Sequence, residues 1–98
     1  MNKTTHTPLP KPFWEYAVVS LRGGQPTPVG LTLQNYKRCE SIIRTLLLDR
    51  KNSRDDYSIV GAPDLAKMLE RGELTNPHYE LTAWDHFTRN VRTQSESR

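Results

Sequence analysis

The segment TLQNYKRCESIIRTLLLDRK, residues 32–51, carries the clearest signal for the fold. At about 100° per residue its apolar side chains span an arc of roughly 140°, which is typical of a helix packed on a core. The side chains in this arc are Tyr36, Cys39, Ile42, Ile43, Leu46 and Leu47. The pattern predicts a helix near 33–50 with Thr32 as its N-cap, because a threonine hydroxyl can accept a hydrogen bond from the first turn. Cys39 lies inside the arc, so we expect a buried, unreactive thiol.

The opposite side of this helix is basic. Lys37, Arg44 and Lys51 recur at every seventh position and lie within roughly 40° of one line. Leu48 falls between them on the helical wheel, where an isolated apolar residue has no core to enter. The pattern indicates a surface for a negatively charged partner, and a simply solvated helix face is the alternative interpretation.

Composition sets the size and class of the protein. Its 98 residues, 26% charged and 35% hydrophobic, suffice for one small domain with a modest core. The longest aliphatic run, at 46–48, is far too short to cross a bilayer, and 1–12 has no apolar core of a secretory signal. A single cysteine permits no internal disulfide, which fits a reducing compartment. We therefore expect a cytoplasmic protein with no membrane partner.

The net charge of +3 hides an asymmetry along the chain. Residues 1–54 carry nine Lys/Arg against three Asp/Glu, whereas 55–98 carry five Lys/Arg against eight Asp/Glu. If the basic half presents one surface, that surface attracts phosphate backbones or an acidic protein patch. Whether the molecule is polarised in space depends on how the two halves pack.

The strands are expected to be short. Residues 13–22 and 57–60 are rich in aromatic and β-branched side chains, which favour strands. Both faces of 13–22 are apolar, so this strand lies at the centre of a sheet or gives one face to a partner. Pro26, Pro28 and Gly30 mean that any strand over 25–31 is short and lies at an edge.

Two further helices complete the predicted fold. Pro63 suits a first helical position and Gly72 a left-handed C-cap, which predicts a helix near 63–71. Helical spacing of apolar residues predicts another near 83–92, while 76–82 fits either a helix start or a short strand.

We expect a single α+β domain over 13–92 with two layers. In this arrangement the helices cover one face of a short antiparallel sheet. A flexible, proline-bearing tail at 1–12 and a frayed end at 93–98 flank the domain.

No constellation for catalysis or metal binding is recognisable in the sequence. The histidines His6, His78 and His86 match no common zinc spacing, and the glycines form no nucleotide-binding motif. Asp85 and His86 are adjacent, so on a helix they point about 100° apart and cannot pair as a catalytic dyad does. We therefore expect no enzyme, no cofactor and no metal; a small enzyme is a remote alternative.

Protein binding is the function we favour, because tryptophan, tyrosine and arginine dominate interfaces and this small chain has two tryptophans and four tyrosines. The expected partner-binding residues are Lys37, Arg44, Leu48, Lys51 and Trp14. The alternative is direct nucleic-acid binding through Lys37, Arg38, Arg44, Lys51 and Arg54. In general appearance the chain is similar to accessory proteins of bacteriophages and plasmids. This similarity rests on no motif, and it implies a regulator of an enzyme of nucleic-acid metabolism.

Overall fold

Three strands and three α-helices form the fold in a computed structural model that describes residues 13–76 and 79–96. The tail predicted at 1–12 lies outside the described residues, as do 97–98 of the predicted frayed end. The elements are β1 (Tyr16–Ser20), β2 (Thr27–Gln34), α1 (Tyr36–Leu46), β3 (Tyr57–Gly61), α2 (Ala62–Glu70) and α3 (Leu81–Glu96), with a one-turn 3-10 helix at Arg54–Asp56.

The sheet has the order β2-β1-β3, and β1 is antiparallel to both neighbours. This confirms the predicted α+β class, the antiparallel sheet and the central place of the first strand. Side chains alternate between the two faces of a strand. Accordingly Ala17 and Val19 enter one core cluster while Val18, between them, enters another.

The helices cover both faces of the sheet, whereas we expected them on one face. α1 packs on the face of Val18, where Cys39, Ile43 and Tyr57 are buried. α2 and α3 pack on the other face, where they bury Leu65, Phe87 and other apolar side chains against β1 and β2. Each apolar row of β1 must be kept from water, so each face requires its own cover. The result is three layers, with the sheet in the middle.

The boundaries of α1 differ from the prediction. Residues 32–34 belong to β2, with Gln34 opposite Tyr16, so Thr32 does not cap the helix. Asn35 is the N-cap, and its Oδ1 accepts a hydrogen bond from the Arg38 N–H at 2.8 Å. The helix ends at Leu46, whose carbonyl accepts from Asn52 Nδ2 at 2.8 Å. Residues 48–51 therefore lie in the turn that follows α1.

Strand β2 lies at an edge as predicted, although with eight residues it is longer than expected. Gly30 has φ +83° and interrupts the regular register with β1, which glycine tolerates better than other residues. The Tyr79 hydroxyl accepts from the Gly30 N–H at 3.0 Å and donates to the Pro28 carbonyl. This single side chain therefore holds the irregular part of β2.

The two later helices begin close to the predicted positions, and α2 also ends close to its predicted end. α2 has Pro63 in its first turn, and Gly72 has φ +68° just after its C-cap, as its sequence predicted. α3 begins at Leu81 and continues through 93–96, past the predicted end at 92. Near its C-terminus, Gln94 Nε2 donates to Glu15 Oε1 at 2.6 Å, and Gln94 Oε1 accepts from the Glu15 N–H at 3.2 Å. α3 is thus tied to the start of β1.

Candidate partner-binding surface

The charge asymmetry of the sequence becomes an asymmetry in space. Residues 36–56, which form α1 and its connection to β3, carry six Lys/Arg against four Asp/Glu. Residues 62–96, which include α2 and α3, carry four Lys/Arg against six Asp/Glu. Because α1 and the α2–α3 pair lie on opposite faces of the sheet, one side of the domain is basic and the other acidic.

The basic side chains of α1 are exposed and unpaired. Lys37, Arg38 and Arg44 all lie on the solvent side of the helix. Within residues 13–76 and 79–96 the only ion pair joins Arg71 and Glu73, at 3.9 Å on the other side of the domain. The positive charge on α1 therefore remains available to an acidic partner.

Leu48 is the most exposed large apolar side chain described, at 82%. It lies in the turn after α1, where its N–H donates to the Thr45 carbonyl at 3.2 Å. Its exposure agrees with the wheel argument, although the helix ends two residues before it. Leu81 is exposed to a similar extent, 77%, at the start of α3 on the acidic side. Exposure alone therefore does not single out Leu48, which differs from Leu81 in lying on the more basic side of the domain.

A groove that the sequence pattern does not predict runs along one flank of α1. Its volume is about 220 Å³, and it is lined by Arg38, Ser41, Ile42, Thr45 and Leu46. The helical wheel assigned Ile42 and Leu46 to the core; both pack against the cluster of Val18 and Ile43 but remain half-buried. An apolar floor beside an arginine and two hydroxyls can accept an apolar side chain from an acidic segment.

The structure separates Trp14 from the other expected partner-binding residues. Trp14 lies half-buried beside Gly61, and its ring is 6.3 Å from that of Tyr16. Tyr16 in turn meets Tyr36, in the first turn of α1, edge to face at 5.3 Å. Trp14 is therefore near the N-terminal end of α1, and Leu48 follows the C-terminal end, about 15 Å further along an 11-residue helix.

Lys51 and Arg54 both lie beyond α1 in an acidic setting. The Lys51 N–H donates to Asp49 Oδ1 at 3.0 Å, and its side chain is exposed. Arg54 donates from Nη1 to the Tyr57 carbonyl at 2.8 Å and is followed directly by Asp55 and Asp56. Arg54 is thus engaged within the domain, and only Lys37, Arg38 and Arg44 of the proposed nucleic-acid set share one helix.

The Cys39 thiol is an ionisable group within the core of the domain. Cys39 is fully buried, as the sequence predicted, and burial raises the pKa of its thiol above the ordinary value of 9.0. The described part of the chain contains no group of three or more His, Cys, Asp or Glu side chains placed to hold a metal ion.

No helix in the described ranges is both long and apolar enough to cross a membrane. Comparison with known proteins gives no family model that matches the chain, and no similar curated protein or solved structure.

Proposed function

We propose that this protein is a non-catalytic binding protein that docks on, and modulates, a protein partner active in nucleic-acid metabolism. The contact surface, here called the α1 surface, consists of Lys37, Arg38, Arg44, Leu48 and the groove beside Ile42 and Leu46. The observation that carries the proposal is an 82% exposed leucine next to a helix whose basic side chains have no internal counterion within the described residues.

The two parts of this surface have different roles. The unpaired charges attract an acidic region of the partner and fix its orientation, and this effect weakens as salt screens it. Leu48 and the groove supply apolar area, which gives most of the affinity once the partner is in place. A partner that fits therefore carries an acidic patch with at least one apolar side chain projecting from it.

The test begins with the full chain cross-linked to its partner in the cells of origin, followed by purification of the pair. Affinity is then measured for Leu48→Asp and for the matched control Leu81→Asp, since the two leucines are similarly exposed on opposite sides of the domain. We expect Leu48→Asp to weaken binding at least about tenfold, equivalent to 1.4 kcal/mol, and Leu81→Asp to bind like the wild type. Equal affinity of the two variants would exclude Leu48 from the interface.

A charge-reversal pair tests the electrostatic part separately. Lys37→Glu with Arg44→Glu changes the α1 surface, and Arg89→Glu with Arg92→Glu makes the same change on exposed positions of α3. The α1 pair should slow association and reduce its salt dependence, because electrostatic steering acts on the association rate constant. If both pairs have the same effect, only the overall charge matters and the α1 surface has no special role.

Direct nucleic-acid binding by Lys37, Arg38, Arg44, Lys51 and Arg54 is the second function to be tested. It is favoured by the three unpaired basic residues on α1, and disfavoured by the acidic residues around Lys51 and Arg54. Several phosphate contacts should give measurable affinity for duplex or single-stranded DNA or RNA at about 50 mM salt. Absence of binding under that condition would remove this alternative and leave the protein-binding proposal intact.

A further inference from the structure

Three aromatic rings, here called the aromatic row, lie side by side where β1 begins: those of Trp14, Tyr16 and Tyr36. The ring centroids of Trp14 and Tyr16 are 6.3 Å apart, and those of Tyr16 and Tyr36 are 5.3 Å apart. Trp14 and Tyr16 are half-buried, Tyr36 is 49% exposed, and the neighbouring Phe13 is 66% exposed. Apolar side chains that are gathered at the surface in this way mark an interaction site more often than isolated ones do.

The aromatic row lies on the α1 side of the sheet. A Cβ added at Gly61 would lie 2.7 Å from Trp14 Cε3 and 3.4 Å from Tyr16 Cε2, so both rings cover the same face of Gly61. Tyr16 also packs on the cluster of Val18, which is the face that α1 covers. The row therefore ends at the first turn of α1, whereas Leu48 follows the last turn.

The described side chains beside the aromatic row carry little net charge. Lys37 follows Tyr36 directly and Glu40 lies one turn after it, and both are exposed. Arg38 points to another side of the helix, where it lines the groove. Sites that stack the bases of a nucleic acid combine rings with a positively charged groove. The balance of charge here favours an apolar occupant instead.

The chain itself carries a segment of this kind, PLPKP, which ends at Pro12. Prolines favour the polyproline II conformation, which has three residues per turn. In that conformation Leu9 and Pro12 share one edge, and Pro10 lies on the next edge. Lys11 and Pro8 occupy the third edge, so Lys11 can stay in water while the two apolar edges face a row of rings.

We propose that residues 8–12 bind the aromatic row of their own chain in the polyproline II conformation, with Leu9, Pro10 and Pro12 against the rings. Proline-rich segments in this conformation are recognised by surfaces lined with aromatic side chains. The sizes agree, because polyproline II rises about 3.1 Å per residue and five residues therefore extend about 12 Å. The centroid separations of 6.3 and 5.3 Å give the row a similar length.

The connection to the domain favours this occupant over others. Phe13 lies in a 3-10 turn rather than in extended backbone, so the chain changes direction immediately before Trp14. A short connection holds the segment near the rings at an effective concentration in the millimolar range. The same segment of a second copy, or a proline-rich segment of another protein, has to compete with this tether. Contact with residues 8–12 also gives Trp14 an intramolecular role, distinct from the partner contact expected from the sequence.

Nuclear Overhauser effects in the full chain test the contact directly. We expect cross-peaks from the side-chain protons of Pro10 and Pro12 to the rings of the aromatic row, with relative intensities that do not change over a roughly tenfold range of protein concentration. Absence of these cross-peaks would overturn the proposal. Cross-peaks that grow with concentration would also overturn it, because they would show that the rings bind the segment of a second copy.

Two matched double variants test which edges of the segment face the rings. Leu9→Ser with Pro10→Ser changes the two apolar edges, and Pro8→Ser with Lys11→Ser changes the third edge. We expect the first variant to lose the cross-peaks from Pro12 to the rings, and the second to keep them. Cross-peaks between the rings of Tyr16 and Tyr36 should persist in both variants and report that the domain is folded. Equal behaviour of the two variants would refute the proposed contact, and it would leave the proposal for the α1 surface unaffected.

Discussion

Replacement of Tyr79 by phenylalanine is the most direct test of how the fold tolerates the break in β2. The substitution removes only the hydroxyl that accepts from the Gly30 N–H and donates to the Pro28 carbonyl. The ring remains, so the apolar contacts are unchanged and the effect reports on the two hydrogen bonds.

The expected loss follows from the setting of these bonds. A neutral hydrogen bond contributes about 1 kcal/mol net, and Tyr79 is only half-buried, so water replaces part of what is lost. We expect the free energy of unfolding to fall by about 1.5 kcal/mol. For a domain of this size that corresponds to a decrease in Tm of about 6–12 °C. Urea and thermal unfolding followed by circular dichroism measure both quantities.

Tyr36→Phe is the matched control, because the Tyr36 side chain is 49% exposed and its hydroxyl has no hydrogen bond to any described residue. It should leave the stability within about 0.5 kcal/mol of the wild type. If Tyr79→Phe costs no more than Tyr36→Phe, the hydroxyl does not hold β2 and the argument for its role is wrong.

Three further substitutions test other parts of the fold. Gly61→Ala places a Cβ 2.7 Å from Trp14 Cε3, so it should lower the free energy of unfolding by about 1–2 kcal/mol and shift the Trp14 fluorescence. Unchanged stability with unchanged emission would contradict the contact. Asn35→Ala should lower the free energy of unfolding in urea by about 1 kcal/mol, because the Arg38 N–H loses its hydrogen bond to the cap. Unchanged stability would show that the Asn35 side chain does not cap α1. Because the Cys39 pKa is raised in the folded state, the wild type should lose stability as pH rises above 9.0, and Cys39→Ala should lose less over the same range. Parallel pH profiles would refute that linkage.

The sequence predicted the central strand and the α1 arc, but not which face each helix covers. Alternation in Ala17, Val18 and Val19 shows that both faces need cover, and the periodicity of a helix says only that it has an apolar side. The assignment of helices to faces depends on how α1 crosses from β2 to β3 and how α2 leaves β3. That information is in the tertiary arrangement.

The start of α1 shows a similar limit at the scale of single residues. Thr32 and Asn35 are both acceptable N-caps by type, and the choice between them depends on whether Gln34 pairs with Tyr16 across the sheet. In the candidate surface, the exposure of Leu48 agrees with the helical wheel, although Leu48 lies in the turn after α1, where the helical period no longer applies. The groove at Ile42 could not be predicted, since it depends on how much of the sheet α1 covers.

The hydrogen bonds between Glu15 and Gln94 have a consequence for engineering of this domain. They bring residues 79 positions apart into direct contact, so a short Gly/Ser linker can join the two ends of the domain there. Gly23 and Gly24 form an exposed turn with open space around both positions. A circularly permuted chain that begins at Gly24 and ends at Gly23 should therefore reach the same fold. A reporter fused to this chain would lie at the β1–β2 turn, at the opposite end of β1 from the Glu15–Gln94 hydrogen bonds.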